Sequence, residues 1–93
     1  MPTGEPHVRH AALLIADAVE RLDRPALTRL GAEAARAQLA ARELLHDHLE
    51  QLWEALKQQG VRPAVRPEYQ PLAALIDVLG SLRDSAHHVV HEL

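Results

Sequence analysis

The sequence predicts an all-α protein: three helices, a long central one among them, in an antiparallel bundle completed by dimerisation. Three observations carry this. The 93 residues include 16 Leu and 16 Ala, both strong helix formers, but no Phe, one Trp and one Tyr. Residues suited to a pleated sheet are too sparse to build one. Apolar positions recur at the helical period over almost the whole chain, broken where Pro and Gly stand.

Met1–Gly4 are expected to fray. The first helix is expected over 6–23, with Pro6 in its opening turn. Val8, Ala11, Ala12, Ile15, Val19 and Leu22 form its stripe. Arg24-Pro25 should end it, because a residue before proline avoids the α region. The second helix is expected over 26–59, carrying Leu27, Leu30, Ala34, Ala37, Ala41, Leu45, His48, Leu49, Leu52 and Leu56 on one stripe, with Gly31 as a weak point. Gly60 can take the left-handed position after its last turn, with Val61 folding back on Leu56. Residues 60–70, with two prolines, read as an extended connector. The third helix is expected over 71–92, with Leu72, Leu75, Ile76, Leu79, Leu82, Ala86, Val89, Val90 and Leu93 on its stripe and a bend at Gly80-Ser81. All 93 residues form one domain.

Length argues for assembly. A 34-residue helix spans about 51 Å, whereas a compact chain of this size is only about 30 Å across. The central stripe would therefore outrun one chain, and a second copy would cover the rest. The interface expected on this reasoning is Leu30, Ala34, Ala37, Ala41, Leu45, His48 and Leu52, with Trp53 as a flanking anchor. Ala32–Ala41, with six Ala, permits close helix approach.

Charge and composition exclude several classes. The net charge is −3, basic residues form no stripe, and one Trp and one Tyr make no stacking platform, which argues against nucleic-acid binding. No apolar run is long enough for a membrane span, and no basic segment precedes one as in a secretory signal. There is no Cys, hence no disulfide framework and no thiolate chemistry, which fits a cytoplasmic protein. The absence of Asn and the excess of Arg over Lys fit a GC-rich bacterial genome.

Seven histidines are the unusual count. Folding about Arg24-Pro25 and about the connector would bring them into one band at the middle of the second helix. Glu43-x-x-His46 and Asp84-x-x-His87 have the acid–His spacing of carboxylate-bridged bundles, and His87 and His91 share a helix face. Glu43, His46, Asp84, His87 and His91 are therefore candidate ligands for a transition metal or haem. His48, on the apolar stripe, is expected in the core or at the interface.

Arg83-Asp84-Ser85-Ala86-His87-His88 resembles the Arg–polar–x–x–x–His motif of the HEPN family, small helical ribonucleases that act as dimers. The resemblance implies phosphate binding by Arg83 and acid–base work by His88. Phosphate loops, Ser/His/Asp sets and His-Glu-x-x-His are missing. The reading favoured by the residues is a non-enzymatic helical interaction or oligomerisation module. A metal- or haem-binding bundle is the alternative, and a HEPN-like ribonuclease the third.

Overall fold

A computed structural model describes residues 5–93, with side chains described from Arg9 onward. The expectations for Met1–Gly4 and for the His7 and Val8 side chains lie outside the described residues. The rest is helical: α1 Glu5–Leu30, α2 Ala32–Gln58 and α3 Gln70–Glu92, with short 3-10 turns at Pro63–Val65 and Pro67–Tyr69.

The first break lies at Gly31, not at Pro25. Pro25 sits inside α1. It forfeits one backbone hydrogen bond there, and the following turn is held by other means. The Thr28 hydroxyl donates to the Arg24 carbonyl at 2.8 Å. Leu27 is buried with Ala35, Ala86 and Val89. Gly31 adopts φ 91° and ψ 172°, a region open essentially to glycine alone, and this single residue reverses the chain. The expected 26–59 helix is therefore divided, its first turn belonging to α1. Three helices of comparable length result, so the overhang expected of a 34-residue helix does not arise.

The end of α2 follows the expectation. The Val61 amide donates to the Leu56 carbonyl and the Gly60 amide to that of Lys57, both at 3.0 Å, with Gly60 at φ 85°. This is a Schellman ending. The connector is more ordered than an extended segment. Pro63 is buried, and the Gln70 side-chain amide donates to the Ala64 carbonyl at 3.2 Å, tying the two 3-10 turns to the start of α3.

α1 and α2 run antiparallel, and α3 lies between them, parallel to α1. Asp23 of α1 meets Arg42 of α2, Arg24 meets Glu92, and Arg83 of α3 meets His46 of α2. α3 packs on both neighbours, whereas α1 and α2 touch each other little. The molecule is a flat layer of 46 × 26 × 14 Å with a radius of gyration of 15.1 Å, against about 12 Å for a compact chain of this length.

The core is small. The buried apolar side chains are Ala12, Ala16, Leu27, Ala35, Ala86 and Val89, and the main cluster sits at the hairpin end, where α1 and α2 close over α3. α3 runs through Gly80 as one helix, and a Cβ at Gly80 would lie 3.4 Å from His46 Nε2. That is ordinary contact distance. Gly31→Ala should therefore cost about 1–3 kcal/mol through its backbone geometry. Gly80→Ala should be neutral or stabilising by up to about 1 kcal/mol through helix propensity. Thermal unfolding followed by circular dichroism separates the two, and equal effects would contradict this account.

Candidate functional site

Each helix buries a narrower part of its apolar arc than the sequence offers. On α2 the inward side is formed by Ala35, Leu39, Arg42, His46, Leu49, Trp53 and Leu56, all buried or half-buried. Ala34, Ala41, Leu45 and Leu52 lie roughly 100–140° around the helix from His46. Leu45 is 53% and Leu52 45% exposed. Ala37 and His48, further round, are exposed as well. His48 is thus not a core residue; His46 holds the buried position, 7% exposed. Leu30 is exposed at the end of α1, and Trp53 is half-buried beside Ala73 and Ile76 of α3.

α1 repeats the pattern. Ala12, Ala16 and Leu27 face α3, while Ile15 and Leu22 are exposed, roughly 100–120° round from Ala16. Because α1 and α2 run in opposite directions on either side of α3, the same rotation turns both arcs to one broad face of the layer. Leu75, Leu79 and Leu82 lie on that side of α3, Leu75 being 47% exposed. The acids of α2, Glu43, Asp47, Glu50 and Glu54, lie on the other side of its buried line, roughly 40–100° from His46. One face is thus apolar and uncharged along α2, and the other carries the charge.

The candidate metal ligands are divided between places. Glu43, Asp84 and His87 line a shallow cleft with Arg83. His87 and His91 stack edge to face with ring centroids 4.3 Å apart. His46 stands apart from these, in a trio with Asp47 and Glu50 whose ligand atoms all lie within 4.8 Å of one another. The i,i+4 spacing of His46 and Glu50 was the sequence signal for it. Arg83 abuts this trio at His46: its Nη1 lies 3.2 Å from His46 Nδ1, which is also 3.2 Å from Glu50 Oε1. The guanidinium thus sets a fixed positive charge against the ring nitrogen that faces the Asp47 and Glu50 carboxylates. That charge opposes a cation at the trio while Arg83 stays.

The single histidine band does not form. Shifting the hinge from Pro25 to Gly31 moves the α2 partner of every α1 residue by twice the shift. His10 accordingly falls beside the Trp53 end of α2, where its neighbour Arg9 lines a cleft with Trp53 and Glu54. His91 lies at the opposite end, next to Glu92, which pairs with Arg24 at 3.1 Å. Arg83 and His88, the two residues of the ribonuclease-like motif, lie roughly 140° apart around α3. Arg83 is also held by Asp84 at 3.2 Å.

The sequence reading missed the pair that joins all three helices. Arg42 donates to both carboxylate oxygens of Asp23, at 2.6 and 3.0 Å, and to the Leu82 carbonyl at 2.9 Å. Both side chains are largely buried, at 14% and 15% exposure. Burial pushes the Asp23 pKa up, but the hydrogen bond and charge of Arg42, with the neighbouring Ser85 hydroxyl, outweigh it and hold the carboxyl below its usual range. Ser85 Oγ is buried without a regular hydrogen bond, so its contribution is that of a nearby dipole.

Compared with family models, curated proteins and solved structures, the chain matches none. No described helix is long and apolar enough to cross a membrane.

Asp23→Asn or Arg42→Ala should each cost about 2 kcal/mol, between the values for exposed and buried pairs. Because the folded pKa of Asp23 is lowered, its contribution is complete above the unfolded carboxyl value near pH 4 and is lost as pH falls through the folded value. Urea midpoints of wild type and Asp23→Asn should converge below about pH 4; a constant gap down to pH 2 would contradict the assignment. For His46, zinc should leave the melting temperature of the wild type unchanged and raise that of Arg83→Ala, which frees Nδ1 beside two carboxylates.

Proposed function

We propose that this chain is a non-enzymatic helical module for protein–protein interaction or oligomerisation, working through the broad face that carries Ile15, Leu22, Leu45, Leu52 and Leu75. The observation that carries this reading is the imbalance between what the chain buries and what it leaves open. Leu27 and Val89 are the only large aliphatic side chains in the buried core among the described residues, and four Ala complete it. Eleven large hydrophobic residues remain exposed, Leu22 most of all at 78%. Scattered apolar residues are normal on a surface, but a contiguous set on one side marks a contact surface.

Along α2 this face also lacks the charges that would keep it in water. Between Ala34 and Gln59, the exposed arc of α2 holds Ala, Leu, Gln and His only. An amphipathic helix offering such an arc recognises another apolar helical surface. The expected interface residues Ala34, Ala37, Ala41, Leu45, His48 and Leu52 belong to this arc. Trp53 lies beside it, packed toward α3, and Leu30 closes the hairpin end. A reducing cytoplasmic setting suits a chain without cysteine.

Hydrophobic-dye binding tests the reading. Leu45→Arg should change it strongly relative to wild type, because it puts a charge in the middle of the arc. Leu13→Arg, also on an exposed position but beside Asp17 and Glu20, should leave it near the wild-type level. Equal behaviour of the two variants would sink the proposal.

A further inference from the structure

We infer that the occupant of this face is a second copy of the chain, docked with its α2 antiparallel along the first about a two-fold axis close to Leu45. The inference rests on the interaction-module reading and adds the partner and the geometry.

The area fits. The chain exposes 6348 Å², whereas a compact protein of its 10.3 kDa exposes about 5,400 Å². The excess, about 1,000 Å², is close to the roughly 800 Å² that each partner contributes to a standard interface. The surplus also has the right position, since the exposed Ile15, Leu22, Leu45, Leu52 and Leu75 lie on one side of the layer. A second layer placed there would turn a one-layer protein into the two-layer arrangement that gives helices a common core.

The distribution of side-chain size along α2 selects the partner and its direction. The first half of this arc is small: half-buried Ala34 with exposed Ala37 and Ala41. The second half is large: Leu45 and Leu52, with half-buried Leu49 and Leu56 at its edge. A parallel copy would set Ala on Ala, leaving a gap, and Leu on Leu, forcing the helices apart. An antiparallel copy sets each small half against a large half, so the surfaces interdigitate. Such a surface is complementary to itself, which is the condition for a closed two-fold contact. Ala34 and Leu56 lie equally far from Leu45, which fixes the axis there. The acidic side of α2, from Glu43 to Glu54, remains outside, so like charges do not meet at the contact.

The chain has no native cysteine, so single labels are unambiguous. Glu33→Cys, Asp47→Cys and Lys57→Cys all lie at exposed positions and leave the arc intact. Spin-labelled at these sites, the full chain should sediment as a dimer of about twice 10.3 kDa. Its Asp47 label pair should give the shortest distance. The Glu33 and Lys57 pairs should each be separated along the helix by about 36 Å, at 1.5 Å rise per residue. Leu45→Arg should return the chain to a monomer with unchanged helicity, because Leu45 takes no part in the monomer's core. A dimer with equal distances at all three sites is parallel and overturns the inference, leaving the interaction-module reading in place. A monomer whose dye binding still responds to Leu45→Arg overturns it too, and points to a different protein as partner. A monomer without that response overturns both.

Discussion

The contact on which the rest of the structure depends is that of Arg42 with Asp23 and the Leu82 carbonyl. Each of its three groups comes from a different helix. Helices that meet through Ala and a few Leu have little to fix their rotation, because alanine surfaces slide over one another without large steric cost. A bidentate guanidinium–carboxylate pair has a defined plane and direction, so it sets the register of α1 against α2. The third hydrogen bond, to Leu82, sets α3 against both. Once that register holds, Leu27, Ala35, Ala86 and Val89 fall together, and His46 meets Arg83 and the open side of Gly80.

Local signals were legible where a residue has one conformational solution. The Gly60–Val61 ending of α2 is such a case, and the atoms obey the spacing. Pro25 is the opposite case. Its local preference is to end a helix, yet the tertiary contacts of Leu27 and Asp23 on either side outweigh the lost backbone bond. Gly31 takes over as hinge because the required φ of 91° excludes other residues. The consequence spreads along the whole of α1, because a hinge error is doubled in every α1–α2 pairing. That is why the histidines appeared to converge, and why they are spread from one end of α2 to the other.

The choice of face was also open in the sequence. Periodicity identifies the largest apolar arc, without distinguishing burial by the same chain from burial by another. On α2 the stripe chosen from the sequence is split: Ala41, Leu45 and Leu52 are exposed, whereas Leu49 and Leu56 are half-buried on the inward side. The arc that packs on α3 includes Arg42 and His46, polar residues that a search for apolar periodicity passes over. Both are satisfied by partners from other helices, which no single-helix pattern contains. The buried polar position, rather than the apolar stripe, marks the intrachain side here.

A core this small supplies little apolar burial to stabilise the fold. Two buried aliphatic side chains contribute roughly 1.5–3 kcal/mol each, and the alanines contribute less. The ordering of some ninety residues opposes them with a far larger entropy cost. Burying Ile15, Leu22, Leu45, Leu52 and Leu75 at a contact adds apolar area comparable to that of the core itself. Binding energy of this kind appears as folding stability whenever the partner binds only the folded chain. In this layer of three helices Arg42 fixes the geometry, while the apolar arc of one face stays exposed.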